Sequence, residues 1–174
     1  DGTLIKEFSD KSKENLLKVK NGGNSFVWNM KYPGAKRLDN MVLWGADFSG
    51  AKAVPGNYIV KLKVNDTELT QEFTIHKDPT SEGSIDDIKA QFEFVNEING
   101  VVDKAHKAIE NIRSMKTDLK KFQSDYADNE FAKDLIEKSK SILESIDKIE
   151  NELYQTKNQS NQDPLNFGVR LTNN

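Results

Sequence analysis

Cysteine is absent from all 174 residues, which excludes disulfides, thiolate metal sites and thiol nucleophiles. Histidine occurs twice, as His76 and His106, and each reads as an ordinary surface histidine, not a metal ligand. No serine sits in a Gly-x-Ser-x-Gly elbow, and no glycine-rich loop precedes a helix in the pattern that cradles phosphate. Long apolar runs are missing too. Nothing approaches the roughly 20 residues that span a bilayer, so no membrane span is expected. Positive charge is never dense: residues 1–78 carry 12 basic and 10 acidic side chains, and the remainder 13 and 18, giving +2 and −5. Without a basic face, nucleic acid is not expected as a partner.

What is present divides into two textures. Up to Asp78 the chain alternates short apolar segments with turn formers. Leu4 to Phe8 and Asn15 to Val19 read as strands, and Asn21-Gly22-Gly23-Asn24 is a turn signal because glycine accepts a positive φ. Phe26, Trp28 and Met30 then share one face at period two, and Met41 to Trp44 is a fourth apolar run. The clearest hairpin follows. Tyr58, Val60, Leu62 and Val64 alternate with Ile59, Lys61 and Lys63, Asn65-Asp66 makes the tight turn, and Leu69, Gln71, Phe73 and Ile75 return. Six strands at this spacing predict an antiparallel β-sandwich of the immunoglobulin or fibronectin-III type over residues 1–78.

The rhythm changes at Asp78-Pro79. Ser84 with Asp87 forms a capping-box start. Ile85, Ile88, Phe92, Val95, Val102, Ala105, Ile109, Ile112, Leu119 and Phe122 then recur at steps of three and four, with Ile98 and Met115 one place off the register. Gly100 sits inside this seam at a cost of about 1 kcal/mol relative to alanine. Ser124 to Asn129 reverses the chain, and Phe131, Leu135, Ile142, Ile146, Ile149 and Leu153 line a second stripe. Residues 84–156 are thus expected to form an antiparallel, coiled-coil-like helical hairpin, and residues 157–174 a linker and extended tail. The fold class is α+β and multidomain.

Chemistry-bearing constellations are few. Trp28 alternates in phase with Phe26 and Met30 and reads as core, whereas Tyr32 and Trp44 are the aromatic candidates for a sugar platform. Asp10, Asp39 and Asp47 do not have the spacing of a calcium loop. Glu144 and Asp147 alternate with Lys140 and Lys148, as on a solvated helix face. Asn65-Asp66-Thr67 and Asn158-Gln159-Ser160 fit the glycosylation acceptor pattern, which is common by chance. No catalytic residue, metal ligand or cofactor is read from the sequence.

Several segments are nevertheless familiar. Phe26-Val27-Trp28-Asn29-Met30-Lys31-Tyr32-Pro33-Gly34-Ala35, the Ala53-Val54-Pro55-Gly56-Asn57-Tyr58 turn into a strand, Lys77-Asp78-Pro79, and Asp163-Pro164-Leu165-Asn166-Phe167 with Arg170-Leu171 and Asn173-Asn174 carry a resemblance. Together they resemble the C-terminal region of bacterial exported β-propeller proteins with sortilin-like or BNR repeats, a family often labelled glycosyl hydrolases. The resemblance implies a secreted or periplasmic parent, a propeller preceding Asp1 as the partner in cis, and helices following Asn174 that cover the apolar stripe. It carries over no catalytic residue, since glycosidase carboxylates would lie on the propeller.

The expected function is therefore a non-catalytic accessory and interaction module. If the helical stripe is uncovered, self-association is expected through the line containing Phe92, Ile109 and Ile146. One alternative is a carbohydrate-binding module using Tyr32 and Trp44. Another is that the Gly45 to Pro55 loop is donated to the active site of the parent propeller.

Overall fold

The computed structural model describes residues 2–13, 15–42, 48–160, 162–163, 166–168 and 170. Two antiparallel strands, β1 (Gly56–Val64) and β2 (Thr67–Ile75), precede two helices, α1 (Ile85–Asp125) and α2 (Lys133–Leu153), with a 3-10 turn at Glu130–Ala132 leading into α2. By packing, the chain forms two units. The first is Asp1–Gly34 with Ser49–Asn99, and the second is Ala35–Phe48 with Gly100–Asn174. The division falls within α1, between Asn99 and Gly100.

In the first unit the β-hairpin follows the sequence pattern closely. Its register runs from Gly56 opposite Ile75 to Val64 opposite Thr67, leaving Asn65-Asp66 as a two-residue loop. Asn65 adopts φ 52°, the left-handed conformation that asparagine tolerates better than most residues. Tyr58, Val60, Leu62 and Val64 thereby share one face with Leu69, Gln71 and Phe73.

A six-stranded sandwich does not form among the described residues. Where strands were expected at Leu4 to Phe8, Asn15 to Val19 and Phe26 to Met30, there are two isolated bridges, Ser9 with Leu16 and Lys31 with Lys52. The competing local hydrogen bonds are explicit. The Asn24 side chain accepts from Lys20 N at 2.9 Å and donates to Lys20 O at 2.8 Å, taking both backbone groups that a ladder would use. Met30 takes φ 56°, which ends the alternation begun at Phe26. The fourth expected strand, Met41 to Trp44, lies partly outside the described residues.

Helix α1 begins where the capping box places it. The Ser84 hydroxyl accepts from Asp87 N at 3.1 Å, and the Asp87 carboxylate accepts from Ser84 N at 2.8 Å. At 1.5 Å per residue, its 41 residues extend roughly 60 Å. After the reversal, the Asn129 side chain accepts from Phe131 N at 2.9 Å and starts the second helical segment.

Within the second unit, α1 and α2 pack as an antiparallel hairpin. Ile109 is completely buried, and Ala105, Ile112, Ala132 and Ile146 are buried as well. Leu38, from the segment preceding Phe48, joins Ile109 and Tyr154 in one cluster, with Met41 and Leu153 packed against it.

Candidate functional site

Two polar constellations organise the second unit. In the first, residues 35–38 lie along α1. Lys36 N donates to Asp103 at 2.6 Å, and Lys36 Nζ pairs with Glu110 at 2.8 Å. His106, one turn from each acid, donates from Nδ1 to the Lys36 carbonyl oxygen, and its ring stacks on Phe48 with centroids 6.2 Å apart. This histidine is 1% exposed. The expectation of a surface histidine therefore fails at His106, because the Lys36 carbonyl and the Phe48 ring cover it. His76 is exposed as expected.

The second constellation crosses the helical hairpin. Glu150 is buried and accepts from Arg113 Nε at 2.8 Å and from Lys116 Nζ at 2.5 Å, and Lys116 also pairs with Asp147. Burial pushes the Glu150 carboxyl up, but the hydrogen bonds from Lys116 and Arg113 outweigh it and hold the carboxyl below its ordinary range. For Lys116, burial pulls the other way from its two carboxylates, and the net displacement is upward. The Arg113 guanidinium lies 4.8 Å over the Tyr154 ring. Asp147, expected on a solvated face with Glu144, thus reaches across to α1. Arranged this way, the charges fix helix register.

In the first unit the aromatic residues converge. Tyr32 meets Phe92 edge-on at 4.8 Å, and Tyr58 stacks with Phe73 at 5.8 Å and tilts toward Trp28 at 6.1 Å. Burial is the first cause that raises the Tyr58 phenol, and the adjacent Tyr32 hydroxyl raises it further. Tyr32 N donates to Ala51 O at 2.8 Å. This close approach requires Gly50, because a Cβ there would stand 2.1 Å from Tyr32 O. Trp28 is half-buried and donates from Nε1 to Lys31 O at 3.1 Å.

The residues singled out in the sequence therefore separate. Tyr32 is half-buried, with its ring held edge-on by Phe92, and Phe92 is half-buried as well. Trp44 lies outside the described residues, as does Gly45 to Asp47 of the loop that reaches Pro55. Ile109 and Ile146 are spent on the interior of the helical hairpin. Among the described residues, no three His, Asp or Glu side chains are grouped to hold a metal ion, and no helix is long and apolar enough to cross a membrane.

Large apolar side chains stand exposed in both units. Val60, Leu62, Val64 and Leu69 on the β-hairpin are each more than half exposed, as are Leu135 and Ile149 on α2. The seven-residue spacing of Leu135, Ile142 and Ile149 was readable in the sequence, but their exposure was not. No known protein family matches the chain, and no curated protein or solved structure is significantly similar to it. The fold thus defines an α+β chain, a β-hairpin followed by a helical hairpin.

Proposed function

We propose that the chain is a non-catalytic accessory and interaction module, belonging to the C-terminal part of a secreted β-propeller protein of the kind its sequence resembles. The observation that carries this reading is the open apolar face of the β1–β2 hairpin. Val60, Leu62, Val64 and Leu69 are 51–62% exposed although the strand register is fully formed. A lone two-stranded hairpin is marginally stable in water, and contiguous exposed apolar surface on an ordered element marks a contact site. The propeller in cis is the partner that the resemblance supplies. Residues 4–30, whose Leu4, Leu16, Val19 and Val27 are also exposed, add apolar surface to the same unit. For the carbohydrate-binding reading, the edge-on contact of Tyr32 with Phe92 is unfavourable, since a sugar platform needs an open ring face.

The test is a titration of this chain with the propeller portion of a parent from the resembled family, followed by calorimetry and by amide exchange. Binding should protect the amides of β1 and β2, and the double variant Leu62→Lys, Leu69→Lys should abolish binding while leaving the helical circular dichroism intact. Absence of binding at about 100 μM, or binding that the double variant leaves unchanged, rules the reading out.

A further inference from the structure

We propose that the uncovered side of the α1–α2 hairpin in the second unit is a homodimer interface, with a second copy of this chain as its occupant. The inference deepens the interaction-module reading, but it concerns a different surface from the β-hairpin.

The hairpin has two unlike sides. One is closed: it carries His106 beneath the Lys36 carbonyl, the Lys36 contacts with Asp103 and Glu110, and Arg113 against Tyr154. Counting 100° per residue, Met115 stands about 60° from the buried Ile112, and Leu135, Ile142 and Ile149 stand about 20–60° from the buried Ile146, all on the flank turned away from Glu150 and Asp147. Exposure marks this flank as open. These four are 47%, 55%, 44% and 51% exposed, with the partly buried Phe122 between them.

The surface is self-complementary in register. Pairing of Arg113 with Glu150 and of Lys116 with Asp147 fixes the heights of the two helices. At those heights Met115 lies within one residue of Ile149, and Phe122 within one residue of Ile142. A two-fold axis running along the helices lays α1 of one copy antiparallel over α2 of the other at unchanged height. Met115 then covers the partner's Ile149, and Phe122 covers the partner's Ile142. The same operation sets Asp118 beside the partner's Ser145 and Glu152 beside the partner's Asn111. Exposed Lys104 and Lys138 balance the two acids, and no like charges meet. The product is an antiparallel four-helix bundle.

The area is sufficient. Two helices about 10 Å apart, over roughly 30 Å of length, offer about 600 Å² per copy, or about 1,200 Å² in total, above the ~1,000 Å² that a specific interface needs.

Because the chain has no cysteine, paired thiols report the geometry directly. Oxidising a mixture of Met115→Cys chains with Ile149→Cys chains should give a covalent dimer, whereas either variant alone should give little. Sedimentation velocity of the unmodified chain should show a dimer, and Ile142→Glu, an exposed substitution that leaves helical circular dichroism unchanged, should shift it to monomer. A monomer at about 100 μM overturns the proposal. So does a dimer that Ile142→Glu leaves intact, or one that cross-links only between like variants. Titration of the propeller with Ile142→Glu separates the two readings. Undiminished binding leaves the β-hairpin module standing whether or not the dimer exists.

Discussion

The two hairpins of this chain, one of strands and one of helices, solve the same problem with unequal success. Each is an antiparallel pair with an apolar face. The α1–α2 pair encloses Ile109 completely and draws in Leu38 and Tyr154 from neighbouring segments. The β1–β2 pair completes its backbone ladder yet leaves Leu62 and Leu69, directly opposite each other, 51% and 62% exposed. A helix satisfies its hydrogen bonds alone and can devote its side chains to a partner. A two-stranded sheet satisfies half of its edges and needs another layer for its side chains. The difference teaches that stability in the second unit is internal, whereas in the first it depends on what covers the sheet.

The sharpest way to break this comparison is truncation at matched positions. Ile109→Ala removes a side chain with no exposure and should destabilise the second unit by about 2–5 kcal/mol. Leu62→Ala in the isolated chain should cost less than about 1 kcal/mol, as exposed positions do. Urea unfolding followed by circular dichroism at 222 nm measures both. Equal losses at the two sites would show that the β-hairpin is covered in solution.

A smaller effect is expected at the buried charge cluster. Glu150→Gln removes the carboxylate shared by Arg113 and Lys116, leaving Lys116 with Asp147. Since Lys116 keeps one partner and Arg113 is partly exposed, the cost should be about 1–3 kcal/mol, at the lower end of what breaking a buried pair entails. The pH dependence has a definite sign. The Glu150 carboxyl is held below its ordinary range in the folded state, so its contribution is present above the unfolded value near 4.3 and is lost as pH falls through the folded one. Lys116, displaced upward, contributes fully below its unfolded value near 10.4 and loses that contribution at higher pH. The difference between wild type and Glu150→Gln in urea midpoint should thus be large at pH 6 and shrink toward pH 3.

Legibility in the sequence followed the same divide. Local signals were read correctly: the Ser84–Asp87 box starts α1, Asn65-Asp66 turns β1 into β2, and the alternation from Tyr58 to Val64 is a strand. The helices were legible because a period of three and four residues needs no knowledge of distant partners, but of the expected second stripe Phe131, Leu135, Ile142 and Ile149 stand exposed. The sandwich was not, since alternation in Phe26 to Met30 states which residues can share a face but not whether a neighbouring strand exists to pair with them. Asn24 and Met30 decided that locally, through side-chain hydrogen bonds and a positive φ. Candidate sites fared least well. Burial of His106 depends on a segment 70 residues away, joined through Lys36, and nothing near His106 in the chain announces it.

The smallest effect tests the place where the two units share an element. Gly100 lies in the middle of α1, at the boundary between them, and a Cβ built there meets nothing within 4 Å. Alanine therefore fits, and Gly100→Ala should stabilise α1 by about 0.5–1 kcal/mol, by removing backbone freedom from the unfolded chain. What it does to cooperativity sharpens the contrast. If the helix transmits order between the units, the gain should appear in the amide protection of residues on both sides of position 100. If each unit melts by itself, protection should rise on the Val101 to Ile112 side, where Ile109 anchors the helix, and stay unchanged from Ile85 to Ile98. The first outcome would make α1 the mechanical link through which covering the β-hairpin is felt in the helical one.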